Sequence, residues 1–145
     1  MLKRPLLRRP IPASLIWLLL LVVVLFVAAM MSGATLYLEN RHLKRTQAEA
    51  ITGGDADRGK LAVYQRGCGG CHIIPGIAGA NGQVGPDLTG IAKRSEIAGK
   101  FANDPDTMTR WLMHPQAMDP GNGMPDLAIP QGEARDIAAY LYSKS

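Results

Sequence analysis

The chain has 145 residues, room for one ordinary domain. Its net charge of +4 is unevenly spread: residues 1–48 carry seven Lys/Arg against Glu39 alone, and residues 49–145 carry nine against eleven Asp/Glu. A slightly acidic C-terminal part excludes nucleic acid as its natural partner, and the basicity belongs to the flanks of an apolar N-terminal segment.

Residues 1–12 are a basic segment holding Lys3, Arg4, Arg8 and Arg9, expected on the cytoplasmic side of a membrane. Residues 13–38 follow as a transmembrane anchor. The run 15–31 has no charge, Pro or Gly, and with residues 36–38 it is long enough to cross a hydrocarbon core of roughly 30 Å. Trp17 and Tyr37 stand near its two ends, where interfacial aromatics belong. Ser32-Gly33-Ala34 could serve as a cleavage site, but the apolar run before it is too long for a signal peptide and resumes after it, so the segment reads as a retained anchor. Residues 39–54 are either a polar linker or a helical extension of the anchor that stops at Thr52-Gly53-Gly54.

About 90 residues remain for a domain at 55–145, a size that is marginal without a staple, metal or cofactor. A helix is expected from residue 55 to 66, ended by Gly67, with Leu61 and Tyr64 on one face. Gly59 inside it costs about 1 kcal/mol against Ala, which the close approach of another helix would explain. Two shorter helices are expected at residues 87–94 and 106–114, and a last one around Ala134, Ile137, Ala138 and Leu141. The domain is therefore all-α.

Between the first two helices stands Cys68-Gly69-Gly70-Cys71-His72, which contains both cysteines of the chain. This is the attachment pattern of a c-type haem. Two intervening residues let both thiols reach one edge of the porphyrin as thioethers, and the next residue brings an imidazole beneath the iron as proximal ligand. A structural zinc site would need further ligands, but His42 and His114 are scattered. A thioredoxin-like dithiol would follow a strand, and none is signalled. One covalent haem c is thus expected on Cys68, Cys71 and His72. Such attachment takes place on the outer face of the energy-transducing membrane, which puts residues 55–145 on the periplasmic side of a bacterial inner membrane, in a single-pass protein.

Four methionines follow the motif: Met108, Met113, Met118 and Met124. The first two lie on a helix capped by Asp104, where Met108, Trp111 and Leu112 form a core face. Met118 and Met124 lie in the Pro/Gly/Asn-rich loop 116–125, so either could reach the iron; His114 is a third, weaker choice. From residue 67 through 86 there is no Asp, Glu, Lys or Arg, which marks a surface with little electrostatic steering.

Residues 55–145 resemble the class I cytochromes c. Beside the Cys68–His72 motif, Gly85-Pro86-Asp87-Leu88-Thr89-Gly90 is similar to the family's turn after that motif, Met124-Pro125 to its axial Met followed by Pro, and residues 133–141 to its C-terminal helix. The resemblance implies the class I fold around one covalent haem, preceded by the single N-terminal transmembrane helix. It implies that the Pro86 carbonyl accepts from the proximal imidazole. It implies Met124 as distal ligand, with Met118 the alternative, and the C-terminal helix near Tyr140 as the partner of Gly59. It also resembles the cytochrome c domain fused to some haem-copper oxidase subunits. The implied role is electron transfer rather than enzymatic catalysis, from a quinol–cytochrome c reductase to a haem-copper oxidase; the alternative is a permanent cytochrome subunit of an oxidase, dehydrogenase or supercomplex.

Overall fold

The computed structural model describes residues 12–144, so the basic segment lies, but for Pro12, outside the described residues. The chain divides into two compact units, one ending at Glu39 and the other running from Asn40. The first consists, where described, of the opening part of α1 (Ala13–Thr52). It is apolar around its whole circumference, with Leu18, Val24 and Phe26 all exposed. α1 is long and apolar enough to cross a membrane, and an all-round apolar surface suits lipid rather than a solvated face.

The second unit opens with the rest of α1, which buries Ala48 and Thr52. Arg45 reaches Asp57 at 2.7 Å, and the Glu49 carboxylate accepts from Ala56 N at 3.0 Å. The stretch read as linker or helix is therefore helical to Thr52. α2 (Ala56–Gln65) starts where Asp55 caps the free amides of Asp57 and Arg58. Those amides hold its carboxyl below the usual carboxylate range.

The buried face of α2 is Ala56, Gly59, Ala62 and Val63, not the Leu61 and Tyr64 face that the larger apolar residues suggested. Leu61 and Tyr64 are exposed. The reason is proximity: α2 packs on α5 (Gln131–Ser143) so tightly that a Cβ on Gly59 would lie 1.8 Å from the Asp136 carbonyl oxygen. Only small residues fit such a seam. The crossing is centred on Asp136 and Ile137, one turn before the Tyr140 position that the resemblance implied. Two ion pairs hold it: at the crossing Arg58 grips Asp136 at 2.8 and 3.0 Å, and beyond the end of α2 Arg66 grips Glu133 at 2.7 Å through two nitrogens.

Two strands absent from the sequence reading, β1 (Glu96–Ile97) and β2 (Phe101–Ala102), form a short antiparallel hairpin. The helix expected at residues 87–94 is reduced to a single 3-10 turn, Ile91–Lys93. Gly90 at φ +65° interrupts it, and the Asp87 side chain takes the Thr89 amide at 2.7 Å, a local bond that competes with helix formation. α3 (Pro105–Met113) begins at the Asp104 cap and buries Met108, Trp111 and Leu112 against α5. The expected loop 116–125 opens with one helical turn, α4 (Pro115–Met118), because Pro115 supplies the fixed φ of a first helical position.

Gly59→Ala should destabilise the domain by roughly 1–3 kcal/mol, because the new methyl meets backbone rather than a movable side chain. Tyr64→Gln on the opposite face should stay within about 0.5 kcal/mol of the parent. Denaturant unfolding of the two variants distinguishes the seam from the exposed face.

Candidate functional site

α2 ends at Gly67 in the left-handed region (φ +68°), and the chain turns at once into the 3-10 turn Cys68–Gly70. The turn closes by bonds from Cys71 N and His72 N to the Cys68 carbonyl, at 3.2 and 3.0 Å. Both thiols and the imidazole are thereby presented by five residues to one cavity of about 830 Å³. That volume lies within the range of cofactor sites. The greater part of the lining is apolar: Val63 from α2, Met108, Trp111 and Leu112 from α3, Ile137 and Leu141 from α5, and Ile91 and Ile97 between them, with the charged Lys93, Arg94, Glu96 and Asp119 also bordering it. The thiols are free. Burial pushes the Cys68 thiol up, so it stays a neutral S–H in that surrounding.

The His72 ring is fixed on two sides. Its Nδ1 lies 2.8 Å from the Pro86 carbonyl oxygen. A carbonyl only accepts, so Nδ1 carries the proton and Nε2 keeps its lone pair for a metal. The flat face of the ring rests on Gly85, where an added Cβ would stand 2.4 Å from Cε1. The turn that supplies both contacts is tied to the motif by Gly85 N to Cys71 O at 2.8 Å and Leu88 N to Ile73 O at 2.9 Å. The Arg94 guanidinium donates to the Thr89 carbonyl at 3.2 Å and to the Asp87 carbonyl. Bonds from Thr89 hold the Asp87 carboxyl below its ordinary range.

Met124 borders the same cavity, whereas Met118 does not. Met118 sits half-buried in α4, with its amide bonded to the His114 carbonyl at 3.1 Å. Met113 is half-buried and Met108 is buried in the core. His114 is exposed and lines a separate recess with Arg110 and Arg135. The structure thus brings Cys68, Cys71, His72, Pro86 and Met124 to one cavity and leaves Met118 and His114 outside it. Among the described residues no group of three or more His, Cys, Asp or Glu could hold a metal ion. Two thiols on one turn, a single imidazole with its Nε2 free, a thioether and an apolar enclosure are the donor set of a haem site rather than of a polar metal cluster.

The sequence reading did not foresee the residues that hold the loops. Asn103 donates to the Ile91 and Arg94 carbonyls at 2.7 and 2.8 Å and accepts from Tyr142 OH at 2.7 Å. Burial pushes the Tyr142 hydroxyl up to about 12, which keeps it a neutral donor. Gln116 and Asn122 brace the loop around Met124. The signal available for Asn122 was its place between two glycines, where an Asn side chain commonly bonds its own backbone two residues on.

Comparison with known proteins covers this same part of the chain. The cytochrome c family model matches residues 56–145. Cytochrome c oxidase subunit 2 of Alkalihalophilus pseudofirmus is 31% identical over 86 residues, 59% of this chain and 24% of that protein. Cytochrome c oxidase subunit 2 of Bacillus sp. (strain PS3) is 26% identical over 86 residues, 58% of this chain and 24% of its own. The matched region therefore spans about a quarter of the length of either relative. No solved structure matches the chain.

Gly85→Ala should displace the His72 ring from its cradle. The expected outcome is a loss of about 1–3 kcal/mol in stability together with faster exchange of the Nδ1 proton, about tenfold or more, read by NMR. Retained protection of that proton would show that the ring does not depend on Gly85.

Proposed function

The chain belongs to the cytochrome c family, and we propose that it is a membrane-tethered one-electron carrier, passing electrons from a quinol-oxidising complex of the quinol–cytochrome c reductase type to a haem-copper terminal oxidase. The observation that carries this reading is the convergence of Cys68, Cys71, His72 and Met124 on one apolar cavity. Haem c, when bound, supplies an iron that gains and loses one electron. The Cys68 and Cys71 thiols would hold one such group covalently by adding across its vinyl groups, with no net oxidation. His72 Nε2 would take the proximal position, while the Pro86 carbonyl keeps the opposite ring nitrogen protonated and the ring unable to turn. Met124 would take the distal position. With His72 and Met124 both holding the group, a small molecule would find no open site, which favours electron transfer over catalysis. The apolar side chains from α2, α3 and α5 would pack against the haem ring.

The apolar length of α1 supports an anchor in a bacterial inner membrane, crossed once. Haem attachment on the outer face would place residues 55–145 on the periplasmic side and residues 1–12 in the cytoplasm. An anchor confines the carrier beside its partners and keeps their local concentration high. A second reading, a permanent subunit of an oxidase, dehydrogenase or supercomplex, is favoured by one observation: the relatives matched are themselves oxidase subunits. Purification in mild detergent separates the two, since a fixed subunit stays with its complex at constant stoichiometry and a mobile carrier washes free.

Denatured protein run on a gel should keep a haem stain, and Cys68→Ser combined with Cys71→Ser should lose it. Met124→Ala should abolish the weak near-infrared band of a thioether on ferric iron and lower the reduction potential; Met118→Ala should leave both nearly intact. The reverse pattern would move the distal ligand to Met118.

The uncharged stretch 67–86 includes Cys71 and Val84, exposed at the cavity, and the exposed Ile73. Charge steering weakens as the Debye length falls from ~30 Å at 0.01 M salt to about 10 Å at 0.1 M. Electron transfer to the acceptor should therefore change by less than about twofold over that range. A many-fold fall, measured by stopped flow, would make the charged residues Lys93, Arg94 and Lys100 the docking face instead.

A further inference from the structure

Residues 123–129 make no backbone–backbone hydrogen bond among the described residues, and they belong to no helix or strand. A loop without a ladder keeps many conformations open, yet Met124 must hold one to be an axial ligand. Its two backbone groups are held by side-chain amides. Met124 N donates to Asn122 Oδ1 at 2.7 Å, and Met124 O accepts from Gln116 Nε2 at 2.7 Å. The second N–H of Gln116 goes to the Asn122 carbonyl at 2.9 Å, and its Oε1 accepts from Gly121 N at 3.2 Å. Asn122 Nδ2 is shared between the Pro115 and Asp119 carbonyls at 2.9 and 2.6 Å. Both amides are thus fully used, and every bond falls within residues 115–124.

We propose that Gln116 and Asn122 are positioning residues that clamp the Met124 backbone from both sides and so keep its thioether on the iron. The proposal rests on the reading of Met124 as distal ligand. Gln116 belongs to α4, so the clamp references a strip of chain without backbone pairing to a helical turn. Without it the loop would open more often, and each opening would bare the iron to an outside ligand.

That consequence can be titrated. Imidazole binds ferric iron only when the thioether is off, so its apparent Kd varies inversely with the open fraction. In the full-length haem-loaded chain, Gln116→Glu keeps the size and the acceptor but has no N–H to give. It should tighten imidazole binding about tenfold, and Asn122→Ala should do likewise. Arg58→Ala removes the ion pair to Asp136 and touches no residue of the loop; it should leave imidazole binding within about twofold. In a Met124→Ala background, adding Gln116→Glu should change nothing, because no thioether remains to be positioned.

Single variants that bind imidazole as weakly as the parent would overturn the clamp. So would a Gln116→Glu effect that persists with Met124 removed. Met124→Ala binding imidazole no more tightly than the parent would instead sink the ligand assignment itself, which keeps the two failures apart. Gln116→Glu and Asn122→Ala each decide alone, so misfolding of one does not spare the proposal.

Discussion

A carbonyl oxygen accepts protons and never donates one, and the site follows from that one-sidedness at Pro86. Because His72 Nδ1 stands 2.8 Å from the Pro86 oxygen, the ring is committed to one tautomer, which leaves the lone pair at Nε2 free for a metal. The contact demands that the chain return to the motif fourteen residues later and pass against the flat face of the ring. Gly85 allows the pass because it has no Cβ. The Asp87–Thr89 turn and the Arg94 guanidinium keep the backbone in that shape. The short 3-10 turn where a longer helix was expected is part of the same geometry: a full helix from residue 87 would use up the carbonyls that Arg94 holds.

The Met124 side of the cavity is supported by a different device. On the His72 side the backbone is bonded to other backbone, Gly85 to Cys71 and Leu88 to Ile73. On the Met124 side the bonds come from the amides of Gln116 and Asn122. Backbone pairing tolerates many side chains, whereas an amide clamp depends on two particular ones. The His72 side therefore depends on the absence of a side chain at Gly85, and the Met124 side on the presence of two particular ones.

What could be read in the sequence divides along the same line. Cys68, Cys71 and His72 stand out because their spacing is itself chemistry. The α3 face of Met108, Trp111 and Leu112 stands out because burial follows the helical period. The α2 face was misjudged for a physical reason: hydrophobicity marks what a helix would bury against side chains, but α2 meets the backbone of α5, where size decides and Gly59 outranks Leu61. The hairpin Glu96–Ala102 carried no alternating pattern long enough to notice. Gln116 is invisible in a single sequence, since its role depends on a fold that brings its amide to Gly121, Asn122 and Met124. Met118 and Met124 looked equivalent as loop residues, and the helical turn α4 makes them different by drawing Met118 away from the cavity.

The seam between α2 and α5 also bears on how the protein is made. Arg58 and Asp136 are partners across 78 positions of sequence, so the small-residue face of α2 stays open until the last helix of the chain has been synthesised. A chain emerging in sequence order would hold Gly59 bare and the cysteine motif accessible over that interval. Closure of the domain is then a late event in folding, and both thiols can be reached until it happens.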